Sequence, residues 1–230
     1  MRNTDEQAGM GRMLEDIRRE ILYTADETGL TRFHKTVMDA MASVPRLQFV
    51  PQGLETAAFD NGPLPIGHGQ TISQPYIVAL MSELLHVGKE SVVLEVGTGS
   101  GYQAAVLSQL VKQVYSLELV PELAGEALER LHRLGYHNVE VRQGDGYHGW
   151  AEHAPYDGII VTAAAPHIPR ALIDQLRDGA RLVIPVGEAY GSQRLLVVTK
   201  HADKLDERIV LPVAFVPLRH STLDRPSTLH

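Results

Sequence analysis

The stretch Val93-Leu94-Glu95-Val96-Gly97-Thr98-Gly99-Ser100-Gly101-Tyr102 constrains the fold of this chain more than any other. An apolar strand pattern runs into three alternating glycines and then into a helical pattern, which reads as a βα turn at the edge of a sheet. Glycine is needed there because the chain turns sharply with no room for a Cβ, and because a ligand can then pack on backbone at a helix start. The spacing separates ligand classes. A dinucleotide fingerprint, G-x-G-x-x-G, needs its third glycine at position 102, where Tyr102 stands. The E-x-G-x-G-x-G pattern therefore predicts a nucleoside-bearing cofactor without a pyrophosphate. A glycine-rich turn that only reverses a βα unit is the alternative.

A chain of 230 residues is long enough for one well-buried α/β domain with a modest accessory. It is 44% hydrophobic and 21% charged, and no apolar run approaches the roughly 18 residues of a membrane span, so a membrane protein is not expected. Residues 1–11 mix charges with no apolar segment following, which argues against a secretory signal. The absence of cysteine excludes a disulfide framework, a thiolate metal site and a cysteine nucleophile. A cytoplasmic protein is expected. The formal net charge is −7 with no Lys/Arg cluster to offset it, which lowers the expectation of a nucleic-acid partner.

Leu14, Ile17 and Ile21 recur at helical spacing, as do Leu30, Phe33, Val37, Met41 and Val44, and Pro45 ends the second helix. These form an expected N-terminal helical cap. A loop rich in Pro, Gly and Asn follows over 51–69, and Pro75 opens an amphipathic helix carrying Ile77, Val78, Met81, Leu84 and Leu85. Strands are expected at 91–96, 113–118, 138–143 and 157–162, with helices at 101–112, 121–134 and 168–176 between them. Short, nearly continuous apolar strands separated by helices argue for a doubly wound α/β fold with a mostly parallel sheet. Strand-like runs at 181–186, 194–199 and 208–216 have little helix between them, so that edge is expected to be antiparallel or mixed. The expected organisation is a single domain. Within it, 1–75 form the cap and substrate loop, 76–218 the cofactor-binding core and last strands, and 219–230 a tail.

If the glycine turn holds a cofactor, the next strand should end in an acid placed to accept hydrogen bonds from ribose hydroxyls. Glu118, 23 residues after Glu95, ends Val114-Tyr115-Ser116-Leu117-Glu118 and fits that place. A Glu favoured by the dipole of the following helix is the other reading. The third strand ends at Gly144-Asp145-Gly146, where Asp145 can accept the exocyclic amine of an adenine or simply make an Asp-Gly turn. The fourth strand runs into Ala163-Ala164-Ala165-Pro166, whose small residues leave space for a substrate backbone or mark a tightly packed strand exit. The eleven His show no i, i+4 pair with an intervening acid, so no metal site is expected.

The E-x-G-x-G-x-G turn resembles the first motif of S-adenosylmethionine-dependent methyltransferases. A more specific resemblance lies in Pro63-Leu64-Pro65-Ile66-Gly67-His68-Gly69-Gln70-Thr71-Ile72-Ser73-Gln74-Pro75. Together with Val44-Pro45-Arg46-Leu47-Gln48-Phe49-Val50-Pro51, Gly144-Asp145-Gly146, Asp157-Gly158-Ile159-Ile160-Val161-Thr162 and Leu182-Val183-Ile184-Pro185-Val186-Gly187, it is similar to the protein-L-isoaspartate (D-aspartate) O-methyltransferase family, from about residue 12 to 218. The resemblance implies a Rossmann-like class I methyltransferase fold. It also implies methyl transfer from S-adenosylmethionine to the free α-carboxylate of L-isoaspartyl residues in damaged proteins, giving a methyl ester and S-adenosylhomocysteine.

By that resemblance Ser73 is the active-site residue, and Thr71, Ile72, Ser73, Glu95, Gly97, Gly99, Gly101, Glu118, Gly144 and Asp145 surround the cofactor. Taken alone, Ser73 two residues before Pro75 reads equally as a helix N-cap. Asp60 and His68 share its loop and stay unassigned. Isoaspartyl proteins and peptides are the expected partners, and a monomer is expected. A class I methyltransferase acting on a small acid or RNA is the main alternative, and a non-catalytic binder of the cofactor or of isoaspartyl peptides is a third.

Overall fold

The structure is a computed structural model, and it describes residues 4–202 and 204–221. Its centre is a seven-stranded sheet in the order β5-β4-β3-β6-β7-β8-β9, built from β3 (Val92–Val96), β4 (Gln113–Glu118), β5 (Val139–Gln143), β6 (Tyr156–Val161), β7 (Leu176–Gly187), β8 (Gln193–His201) and β9 (Lys204–Val213). From β5 to β7 the strands are parallel, and β8 and β9 return antiparallel. The mixed edge expected for the last three runs is therefore present. The doubly wound order has a consequence for function. The chain leaves β3 toward β4 on one side and comes back as β6 on the other, so a crevice opens beyond the C-terminal ends of β3 and β6.

Helices cover both faces: α5 (Tyr102–Ser108), α6 (Pro121–Arg133) and α7 (Arg170–Gln175) connect the strands. The first helix begins earlier than its periodicity, which starts near Leu14, predicts. The first helix, α1, runs from Thr4–Tyr23 and buries Met10, Met13, Ile17 and Ile21; α2 (Ala25–Thr28) and α3 (Lys35–Ser43) follow. Helix α4 (Pro75–Leu85) differs from its expected amphipathic character. Tyr76, Val78, Ala79, Leu80, Met81, Ser82, Leu84 and Leu85 are all buried, because α4 lies between α1 and α3 on one side and the sheet on the other. A helix apolar on every side belongs in a core. One apolar cluster runs from Met10 through Leu80 and Val106 to Leu211, joining the extension to the sheet.

The 51–69 loop was expected to be irregular, yet it contains half of a hairpin. β1 (Leu64–Gly67) pairs antiparallel with β2 (Gln70–Ile72) around His68 and Gly69. Both turn residues have positive φ, which is the conformation a two-residue hairpin turn demands. The hairpin delivers Thr71, Ile72 and Ser73 over the crevice.

Candidate active site

The cleft sits where the loops after β3, β4, β5 and β6 converge. Its first lobe is lined by Thr71, Gly97, Gly99, Glu118, Leu119, Gly144, Gly146, Thr162 and the 216–219 segment. A small passage beside it, bounded by Thr71, Ile72, Ser73, Gly97, Gly99 and Thr162, shares four residues with the first lobe. A wider lobe, walled by Glu20, Glu27, Thr71, Ser73, Gln74 and the 211–215 segment, shares Thr71 and Ser73 with that passage. Thr71 lines all three spaces, and Ser73 lines the passage and the wide lobe.

Each first-lobe residue has a local cause. Gly97 holds φ +99°, and its N–H donates to the Leu117 carbonyl at 2.7 Å, which ties the turn to the end of β4. Glu118 is almost wholly buried, and its carboxylate accepts the Gly99 N–H at 2.8 Å and the Val120 N–H at 3.0 Å. The acid and the glycine turn are thus one unit, and Glu118 itself lines the lobe. Thr162 was not singled out in the sequence. Its hydroxyl donates to the Gly97 carbonyl at 2.6 Å, so the exits of β3 and β6 are locked together.

Three expected contacts do not reach the cleft. Glu95 is fully buried beneath the turn, where Ser116 donates a hydrogen bond to it and Ser116 in turn meets Thr98 at 2.6 Å. It supports the floor and lines neither lobe. Gly101, φ +85°, faces α6, and a Cβ there would meet Leu131 at 3.2 Å; its glycine serves helix packing. Asp145, expected to take an adenine amine, accepts the Tyr147 N–H at 2.9 Å and the Ser221 N–H at 2.8 Å. Asp145 does not line the lobe, which Gly144 and Gly146 border; it ties the turn to the 219–221 segment. Of the residues at the β6 exit, Ala163 lines the first lobe, while Ala164 and Ala165 are buried in bridges to Pro217 and Val186, which favours the packed-exit reading for those two.

Burial pushes the Glu95 carboxyl up to about 8, the Glu118 charge adds to this, and the Ser116 hydrogen bond partly opposes it. Between about 4.5 and 8 the fold keeps a proton that the unfolded chain releases, so this group makes stability fall as pH rises. Glu95→Gln keeps the shape and the neutral state. We expect it to flatten the decline in melting temperature between pH 5 and pH 8 and to gain up to about 3 kcal/mol at pH 7. A pH profile identical to that of the parent would mean that Glu95 is ionised in the fold.

Ser73 is half-buried, and its hydroxyl makes no hydrogen bond among the described residues. The capping alternative does not hold, because Gln74 is the N-cap of α4 and makes no side-chain cap. The Tyr76 N–H at the helix start is taken instead by Asn61 Oδ1 at 3.0 Å. That long-range cap leaves Ser73 free to face the cleft.

The comparisons with known proteins agree with this geometry. Residues 18–223 match the family described as protein-L-isoaspartate(D-aspartate) O-methyltransferase. The chain is 56% identical over 212 residues to protein-L-isoaspartate O-methyltransferase 2 of Syntrophobacter fumaroxidans, covering 92% of this chain and 86% of that one. It is 56% identical over 207 residues to the enzyme of the same name from a Polaromonas species, covering 90% and 98%. Among solved structures, one titled as a protein-L-isoaspartate O-methyltransferase from Plasmodium falciparum in complex with S-adenosyl-L-homocysteine aligns with a TM-score of 0.74 at 26% identity, covering 90% of this chain and 97% of that one. Sequence, fold and cleft therefore agree that this chain belongs to the protein-L-isoaspartate (D-aspartate) O-methyltransferase family, whose enzymes depend on S-adenosylmethionine.

Proposed function

We propose that the narrow lobe holds the methyl donor, that the wide lobe holds an isoaspartyl chain, and that the two meet at Thr71 and Ser73. The observation that carries this reading is the sharing of residues: Thr71 borders both lobes and the passage, and Ser73 borders the passage and the wide lobe. S-adenosylmethionine, when bound, supplies a methyl group already activated on a sulfonium. The acceptor α-carboxylate is already ionised at neutral pH, so the protein needs no general base. Its tasks are to orient the acceptor and exclude water.

Glu118 takes the ribose hydroxyls, the Gly97–Gly99 backbone and Gly144 leave room for the nucleoside, and Thr71 and Ile72 cover it. Ser73 donates its hydroxyl to the acceptor carboxylate. The wide lobe suits a polypeptide: the apolar Leu211, Val213 and Phe215 line it together with Glu20 and Glu27. Among the described residues no helix is long and apolar enough to cross a membrane.

The test is transfer of a tritiated methyl group to one synthetic peptide in its isoaspartyl and aspartyl forms. Only the isoaspartyl form carries a free α-carboxylate on the shortened arm, so it alone should be labelled, and the ester should release methanol at mildly alkaline pH. Equal labelling of both isomers would overturn the assignment, and a base-stable product would favour another acceptor. In the same assay Ser73→Ala should lower kcat/KM by about 10- to 100-fold with a residual rate, the worth of one hydrogen bond to a charged group. Because Ser73 does not cap α4, its melting temperature should not move. Lost stability with full turnover would remove Ser73 from the site.

A further inference from the structure

The segment Val44-Pro45-Arg46-Leu47-Gln48-Phe49-Val50-Pro51 has no part in the cleft lining, yet it places an unusual group directly behind it. Arg46 is completely buried. No carboxylate among the described residues pairs with it; burial disfavours its charge, and only the neutral Tyr102 hydroxyl partly offsets this. Its guanidinium lies 4.7 Å from the centre of the Tyr102 ring, its Nε donates to the Ala58 carbonyl at 2.9 Å, and its Nη2 donates to the Ser73 carbonyl at 2.8 Å. A buried cation with no counter-ion costs stability that an apolar residue of similar length would not. A purely structural tie between two loops does not call for one.

The carbonyl that Arg46 holds belongs to the Ser73–Gln74 peptide. A trans peptide is planar, with its C=O and N–H pointing opposite ways. Drawing the Ser73 carbonyl toward Arg46 turns the Gln74 N–H the other way, and Ser73 and Gln74 both border the wide lobe. That N–H has no acceptor among the described residues. The next residue, Pro75, has no N–H to offer. Gln74 is steadied by its side-chain bonds to Glu20, another residue that walls the wide lobe, at 3.1 and 3.2 Å.

We propose that Arg46 is a positioning residue for the acceptor: by holding the Ser73 carbonyl inward, it presents the Gln74 N–H beside the Ser73 hydroxyl as a two-point donor for the substrate carboxylate. The inference rests on the isoaspartyl reading of the wide lobe. Two donors side by side match the two oxygens of a carboxylate, and the buried guanidinium contributes a positive charge that the incoming anion offsets.

The test compares the full-length protein with Arg46→Met and Arg46→Lys, measuring melting temperature, S-adenosylhomocysteine affinity by calorimetry, and KM and kcat for the isoaspartyl peptide. Arg46→Met should keep cofactor affinity within about twofold while KM rises about tenfold and kcat falls less, because the donors bind a carboxylate that is already ionised in the ground state. Arg46→Lys, which keeps the charge and reaches one carbonyl, should recover part of the loss. A purely structural Arg46 would lower the melting temperature and leave KM unchanged, and that result overturns the proposal. So does a loss of cofactor affinity in proportion to the rise in KM. If Arg46→Met does not fold, Arg46→Lys decides alone: an unchanged KM refutes the proposal, and a raised KM with intact cofactor affinity supports it. Failure of the unsubstituted protein to label the isoaspartyl peptide, with S-adenosylhomocysteine still binding, would defeat the substrate assignment and is read separately.

Discussion

Gly97→Ala is expected to abolish detectable S-adenosylmethionine binding, an affinity loss on the order of 100-fold or more from backbone strain and displacement together. Two observations combine at this position. The residue holds φ +99°, a conformation that L side chains rarely adopt, and a Cβ there would stand 2.3 Å from Thr162 Oγ1. That hydroxyl cannot retreat cheaply, since it donates to the Gly97 carbonyl and to the Val96 carbonyl. The added methyl group must push apart the ends of β3 and β6, where the crevice opens. Calorimetric titration with S-adenosylhomocysteine checks the prediction. Gly97→Ala combined with Thr162→Ala should regain only part of the affinity, because the clash is relieved while the backbone strain remains. A folded Gly97→Ala protein with the affinity of its parent would disprove the role given to the turn.

Glu118→Ala should weaken cofactor binding roughly 10- to 150-fold, the equivalent of about 1.5 to 3 kcal/mol for hydrogen bonds to a charged group. The same carboxylate accepts the Gly99 and Val120 N–H groups, so the substitution also releases two backbone donors and should lower the melting temperature modestly. Glu118→Gln separates the contributions. Its amide oxygen retains one acceptor for the Gly99 N–H, so the turn is kept while the charge that strengthens the ribose bonds is lost. Affinity intermediate between the parent and Glu118→Ala supports the ribose role. An unaltered affinity in both variants would leave Glu118 as a loop tie only.

The first lobe, proposed to hold the cofactor, was readable in the chain because it depends on local rules. Glycines at alternating positions after an apolar strand, and an acid at the end of the next strand, follow from a βα turn and a parallel sheet. Gly97, Gly99, Glu118 and Gly144 accordingly line one lobe. Glu95, Gly101 and Asp145 belong to the same motifs but do not border it. Spacing shows that a residue sits at a strand end; it does not show which way the side chain points once neighbouring strands are in register. Glu95 points down to Ser116, Gly101 meets α6, and Asp145 is held by the 219–221 segment, contacts that form only after distant parts of the chain meet.

Taken by itself, the sequence determined the alternation of strands and helices, the parallel core with its antiparallel edge, and the glycine turn, since periodicity and turn chemistry act between residues close along the chain. Its segment pattern also determined the family. Only the tertiary structure decided how the acceptor side is built. Asn61 caps α4 across the fold and thereby frees Ser73, Arg46 reaches 27 residues along the chain to hold the Ser73 carbonyl, and Thr162 locks the exits of β3 and β6. These are long-range hydrogen bonds between loops. Their partners are ordinary Asn, Arg and Thr residues whose meaning depends on which backbone group comes within 3 Å of them, and that distance exists only when the sheet, the helical extension and the hairpin have packed together.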